Sequence, residues 1–187
     1  MEVLATSLPG VLRLRPRLFT DDRGWFAETW NEAAFREAGL PLHFVQDNQS
    51  RSRQHVLRGL HFQLQHPQGK LVRAVAGRIF DVAVDIRSSS PYCGQSVGVE
   101  LGAERPEMLW IPPGFAHGFL VLSETADVLY KTTDFYFPAS ERTILWSDPT
   151  LAISWPLTAE PIVASKDATM PFGNWISSLG TLPQAPC

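Results

Sequence analysis

Cysteine, lysine and methionine are scarce in this 187-residue chain, at two, three and three. Cys93 and Cys187 have neither the even, close spacing of a disulfide framework nor the spacing of a metal site, so they read as two free thiols. No run of about eighteen apolar residues occurs, so a membrane-spanning helix is not expected. The first residues lack the basic-then-apolar pattern of a secretion signal, and the expectation is a cytoplasmic protein with no membrane partner. Without such a signal, the glycosylation pattern at Asn48-Gln49-Ser50 is read as chance. Basic excess is missing too. The net charge is −3, which argues against nucleic-acid binding by bulk electrostatics.

The cations that are present are skewed, with thirteen arginines against Lys70, Lys131 and Lys166. Arginine suits bidentate recognition of phosphate or carboxylate, so a small anionic ligand fits the composition. The length suits a single domain over residues 1–187 with a full core.

Helical periodicity is rare. Gly10–Pro16 alternates apolar and basic, as an edge strand would. Thr20–Gly24 is a turn, and a short strand follows at Trp25–Trp30. Asn31 has the chemistry of an N-cap, Glu32 sits in the first turn and Gly39 is a stop, which predicts one helix over Glu32–Ala38. Strands are expected at Leu71–Ala76, Ile79–Ile86, Val97–Leu101, Met108–Ile111, Gly118–Leu122 and Val128–Phe135. Gly77-Arg78 suggests a tight hairpin between the first two. In Ile79–Ile86, Phe80, Val82, Val84 and Ile86 share one face, and Asp81, Ala83 and Asp85 the other. Many short strands, proline and glycine turns and one helix predict an all-β sandwich or barrel. The segment 173–187 has little periodicity and reads as a loosely held tail.

The run Val56-Leu57-Arg58-Gly59-Leu60-His61-Phe62-Gln63 is apolar and strand-like, and a histidine inside it needs a reason. One reason is a core imidazole bonded to a backbone carbonyl. The other is a general base, since the nearby cations Arg58 and Lys70 favour a neutral ring. A second polar cluster, Trp110–Phe119, contains Pro112-x-Gly114-x-x-His117, which resembles the second signature of the cupin superfamily of small jelly-roll barrels. Metal-binding cupins carry His-x-His in their first signature, then a Glu with six residues between it and a Gly. Here those slots hold His61-Phe62-Gln63 and, six residues clear of Gly77, Lys70. A lysine repels a divalent cation and an amide replaces imidazole poorly, so a metal-free site is expected. In it, the Lys70 ammonium would stabilise an oxyanion.

Taken together, the motifs resemble the dTDP-4-dehydrorhamnose 3,5-epimerase family over about Gly10–Phe172. They stand here as Asp22-Arg23-Gly24-x-Phe26-x-Glu28, Gln46-Asp47-Asn48-x-Ser50, the His61 run, Lys70, Asp81-Val82-x-Val84-Asp85-Ile86-Arg87, Ile111-Pro112-x-Gly114-Phe115-x-His117-Gly118-Phe119, Tyr130-Lys131, Glu141, Trp146-x-Asp148-Pro149 and Ser165-Lys166-Asp167. The resemblance implies a cofactor-free epimerase of a 4-keto-6-deoxy sugar on dTDP, in a cupin-type jelly roll. It makes His61 the base, paired with Asp167, and Tyr130 the proton donor on the opposite face. Lys70, with Arg58, would steady the enolate oxygen. Arg23, Arg58 and Lys166 become candidates for the diphosphate. Glu28, Gln46, Asn48, His117 and Glu141 become candidates for sugar or nucleotide hydrogen bonds. Tyr136 matches the aromatic that stacks on thymine, and Phe26 would help line the pocket. The family is a homodimer with crossed N-terminal strands, so Arg23, Phe26 and Glu28 would serve the partner's site. Rival readings are a C3- or C5-mono-epimerase, a 3,4-ketoisomerase, a metal-dependent dioxygenase and a non-catalytic sugar-nucleotide cupin. On spacing alone, Tyr130 also reads as an inward core aromatic and the cations as solvated surface charge.

Overall fold

The computed structural model describes residues 1–40, 42–167 and 170–179. In chain order its strands are β1 (Glu2–Ala5), β2 (Leu12–Arg15), β3 (Leu18–Asp21), β4 (Gly24–Ala27), β5 (Gln46–Arg53), β6 (Val56–Gln63), β7 (Lys70–Ala76), β8 (Arg78–Asp85), β9 (Ser96–Gly102), β10 (Met108–Ile111), β11 (Phe115–Val121), β12 (Thr125–Thr132), β13 (Glu141–Thr143) and β14 (Ile162–Val163). The helices are α1 (Glu32–Glu37) and α2 (Phe172–Leu179). One antiparallel sheet runs β1-β2-β10-β7-β12-β5. A second runs β13-β6-β11-β8-β9, with β14 added parallel to β6. The sheets face each other as a jelly-roll-like sandwich that is not closed into a barrel. The β3–β4 hairpin pairs only with itself.

Side-chain alternation decides what lies between the sheets. Val72 and Ala74 of β7, Val128 of β12, Ile79 and Ala83 of β8, and Phe115 and Phe119 of β11 fill that space. Each of the valine, isoleucine and phenylalanine side chains, fully buried, contributes about 1.5–3 kcal/mol. Both outer faces are also covered. Asn31 caps α1 by accepting hydrogen bonds from the Ala33 and Ala34 N–H groups, and Phe35 then packs on Leu71, Met108 and Trp110 of the first sheet. On the second sheet, Leu60, Phe62, Val82 and Val84 lie under Phe172 and Trp175 of α2.

Four expectations change. Gly77 does not close a hairpin: β7 and β8 belong to different sheets, and the chain arches between them at Gly77. Its φ is +68°, and a Cβ there would stand 2.0 Å from the Thr125 carbonyl oxygen, so only glycine fits. β2 is not an edge, because β1 pairs outside it. The strand expected to reach Phe135 stops at Thr132. The segment expected to be a loose tail begins with α2, anchored by buried Phe172 and Trp175. The rest of it, 180–187 with Cys187, lies outside the described residues. The sequence left the two faces of β8 unoriented; the face carrying Val82 and Val84 packs outward beneath α2, and the face carrying Asp81 and Ala83 looks into the sandwich.

Candidate active site

Toward one end of the sandwich the inner faces turn polar, and a cavity of about 550 Å³ opens between the sheets. Its size suits a small-molecule ligand. From the first sheet, alternation brings in Gln46, Asn48 and Ser50 of β5, Lys70 of β7 and Tyr130 of β12. From the second come Arg58, His61 and Gln63 of β6 and His117 of β11. Arg58 and His61 are three residues apart and should face opposite ways on a regular strand. A bulge resolves this: His117 pairs with His61, but Phe119 pairs with Arg58, so two steps on β11 oppose three on β6. Gly59, at φ +118°, carries the bulge.

His61 is partly exposed, and its Nε2 lies 2.7 Å from Asp167 Oδ1. Asp167 arrives on a 3₁₀ turn, Ser165–Asp167, placed beside β6 by the parallel pairing of β14. Its second oxygen accepts the Gly59 N–H at 3.4 Å. Burial alone would raise the Asp167 pKa. The hydrogen bond and charge of His61, with the Gly59 N–H, outweigh it and hold the carboxyl below its usual range. Asp167 is therefore an acceptor at neutral pH, and a proton on His61 Nε2 leaves the Nδ1 lone pair available as a base.

Opposite, on the inner face of β12, stands Tyr130. Burial pushes its phenol pKa up, so it keeps its proton well past neutrality. Lys70 Nζ lies 3.5 Å from the His61 carbonyl oxygen. Burial lowers its pKa to about 8, while the charges of Asp81 and Glu141 work against that shift. His117 Nε2 sits 2.8 Å from Asp81 Oδ1, and burial lowers the His117 pKa despite that carboxylate. Arg58 Nε donates to Ser52 Oγ at 3.0 Å. The Tyr136 hydroxyl donates to Glu141 Oε2 at 3.0 Å, which raises its pKa, and Lys166 Nζ reaches the same oxygen at 3.4 Å.

The cavity thus gathers His61, Tyr130, Asp167, Lys70, Gln46, Asn48, Arg58, His117, Tyr136, Glu141 and Lys166. It does not gather Arg23, Phe26 or Glu28, the candidates that the resemblance assigned to a partner's site. Arg23 and Phe26 ride on the β3–β4 hairpin, which pairs with neither main sheet; Arg23 is bound to Asp21, and Phe26 is 66% exposed. Glu28, just beyond the hairpin, accepts from Asn31. Asp81, on the β8 face opposite Val82 and Val84, is buried behind His117 rather than on a solvated polar face. Two contributors escaped sequence reasoning. Ser52 anchors Arg58, with no signal beyond its parity with Asn48 and Ser50. Gln68 lines the cavity from an irregular segment, where periodicity is silent. Among the described residues, no three His, Cys, Asp or Glu side chains are placed to hold a metal ion. His61 and His117 are register partners, but each is tied to its own aspartate and Lys70 stands nearby.

A sequence profile of the dTDP-4-dehydrorhamnose 3,5-epimerase family matches residues 5–173. The chain is 56% identical over 168 residues to the dTDP-4-dehydrorhamnose 3,5-epimerase of Pseudomonas aeruginosa, covering 89% of this chain and 93% of that one. Among solved structures, it resembles a dTDP-6-deoxy-D-glucose-3,5-epimerase from Legionella pneumophila in complex with dTDP-4-keto-L-rhamnose. That likeness has a TM-score of 0.92 and 45% identity, over 100% of this chain and 99% of that one. A 3′-monoepimerase from Streptomyces bikiniensis in complex with dTDP-quinovose is similar at a TM-score of 0.87 and 32% identity, over 96% of this chain and 92% of that one.

Proposed function

The chain belongs to the dTDP-4-dehydrorhamnose 3,5-epimerase family, and from that premise we propose that it is an isomerase inverting C3 and C5 of dTDP-4-keto-6-deoxy-D-glucose to give dTDP-4-keto-L-rhamnose. Hydrogens at C3 and C5 flank the C4 ketone, so removing either leaves an enolate. Inversion requires a base on one face, an acid on the other and positive charge at the C4 oxygen.

His61 Nδ1 takes the proton, while Asp167 holds the ring's tautomer and balances the imidazolium that forms. The Lys70 ammonium, with Arg58 nearby, stabilises the enolate oxygen. Tyr130 delivers a proton to the opposite face of the carbanion, and exchange with water then restores both groups. Neither step needs a cofactor or a metal. Tyr136 stacks on the base, and Arg58 and Lys166 meet the diphosphate. Gln46, Asn48, His117 and Glu141 hydrogen-bond the sugar or nucleoside. The protein works as a homodimer, and the β3–β4 hairpin carries Arg23, Phe26 and Glu28 to the partner's cavity.

The observation that carries this reading is the 2.7 Å His61–Asp167 contact, in one cavity with Tyr130 and Lys70. NMR in D2O tests it. Deuterium should enter at both C3 and C5, with L-sugar formed, and His61→Asn should abolish both exchanges while still binding dTDP. Normal turnover by folded His61→Asn would remove the assigned base. Epimerisation at one carbon is the second reading, favoured by the likeness to the monoepimerase. Deuterium at only one carbon would select it.

A further inference from the structure

Three aromatic side chains, Phe135, Tyr136 and Phe137, stand exposed in a segment that has left the sheet and has no ladder of its own. Backbone N–H and C=O groups in such a segment need partners. Here glutamine side chains supply most of them. Gln63 Nε2 donates to the Phe135 carbonyl at 3.2 Å, and Gln63 Oε1 accepts the Phe137 N–H at 2.8 Å. One amide therefore spans Tyr136 from both sides, in the way a neighbouring strand would. Gln46 Oε1 accepts the Tyr136 N–H at 3.1 Å, and Gln68 Nε2 donates to the Asp134 carbonyl at 2.9 Å. Gln63 is buried and also donates to the His66 carbonyl at 2.7 Å, while the His66 ring stacks on Phe137 at 4.4 Å.

We propose that Gln63 is a positioning residue for the nucleotide end of the ligand: its amide, with those of Gln46 and Gln68, fixes the backbone around Tyr136 so that the ring stands ready to stack on a nucleobase. This rests on reading Tyr136 as the wall that meets the base. Gln63 occupies the slot where metal-binding cupins carry a second imidazole, and the amide does what an imidazole cannot. It offers two N–H groups and an acceptor oxygen on one arm, and three contacts use them. The Tyr136 hydroxyl, bound to Glu141, fixes the far edge of the ring. With the ring held at both ends, little conformational freedom remains to be lost when a ligand arrives.

The test is a double-mutant cycle on dTDP affinity, read by calorimetry, with kcat and KM measured beside it. Gln63→Met keeps the length of the arm and removes all three contacts. It should weaken dTDP binding about tenfold and raise KM in step, with kcat within about threefold, since contacts of this kind act on binding more than on chemistry. In a Tyr136→Ala background the same substitution should add nothing. Unchanged dTDP affinity in folded Gln63→Met overturns the proposal, and so does a full tenfold loss that persists without Tyr136. If Gln63→Met does not fold, Gln68→Met, which removes one contact, enters the same cycle under the same criteria with a smaller expected shift. Tyr136→Ala alone binding dTDP as the wild type does would refute the stacking reading itself, a failure distinct from that of the clamp.

Discussion

His61 and His117 lie side by side as register partners on β6 and β11, yet their surroundings differ. His117 is 5% exposed and is bound to an aspartate with no exposure at all. His61 keeps access to the cavity, and its carboxylate is held ionised. Asp167→Asn would present an amide to Nε2 and favour the wrong tautomer, so kcat should fall by ~10²–10⁴ with KM little changed. Steady-state assays coupled to reduction of the product would measure it, and an undiminished kcat would show that Asp167 orients nothing. In the proposed mechanism Lys70 sets a pH limit. Its pKa is about 8, so its charge is present at neutrality and is lost as pH rises through that value. The enolate then loses its cation, and kcat should fall on the alkaline side near pH 8. Tyr130 cannot produce that limb, because burial pushes its phenol further up from the usual tyrosine range. In Lys70→Met the limb should vanish and kcat should be low at every pH; an unchanged limb would assign it to another group. At this scale the sequence was readable where spacing is diagnostic, as for His61 and Lys70. It was not readable for Ser52 or for the contacts of Gln63, whose partners are brought close only by the fold.

β6 and β11 must approach closely for the bulge to turn both Arg58 and His61 inward. Two glycines permit it: a Cβ on Gly59 would lie 2.5 Å from Gly118 Cα, and one on Gly118 would lie 2.7 Å from the Arg58 carbonyl oxygen. Both obstacles are backbone, which cannot swing away. Gly118→Ala should therefore cost about 1–3 kcal/mol, measured by chemical denaturation, and should lower kcat by disturbing His61 and Arg58 together. Unaltered stability would mean that the strands can part without harm. Elements were legible where alternation met one wet and one dry face, or where a cap was explicit, as at Asn31. Where both faces are dry they were legible as strands but not in orientation. β8 shows apolar residues on each side, so periodicity could not say which side met the other sheet. β5, Gln46–Arg53, received no strand assignment, because its inward residues line a polar cavity and look like loop.

The whole molecule leaves one element unexplained by a single chain. The β3–β4 hairpin exposes Phe19, Trp25 and Phe26 at 51%, 51% and 66%, and among the described residues it extends neither main sheet. A monomer gains little by exposing such aromatics together. The proposed homodimer gives them cover and places Arg23, Phe26 and Glu28 against a cavity they do not reach in their own chain. In a two-fold dimer the exchange is mutual, so each site would combine one chain's His61 with the other chain's hairpin. Two variants, His61→Asn and Glu28→Ala, should each be nearly inactive alone. Unfolded together and refolded, they would form mixed dimers in which one site has both elements intact. With random pairing, roughly a quarter of wild-type sites should return. No recovery, in a mixture shown by mass spectrometry to contain mixed dimers, would place Glu28 at its own chain's site. A monomer in sedimentation analysis would remove the exchange altogether and leave the hairpin's aromatics in need of a different partner.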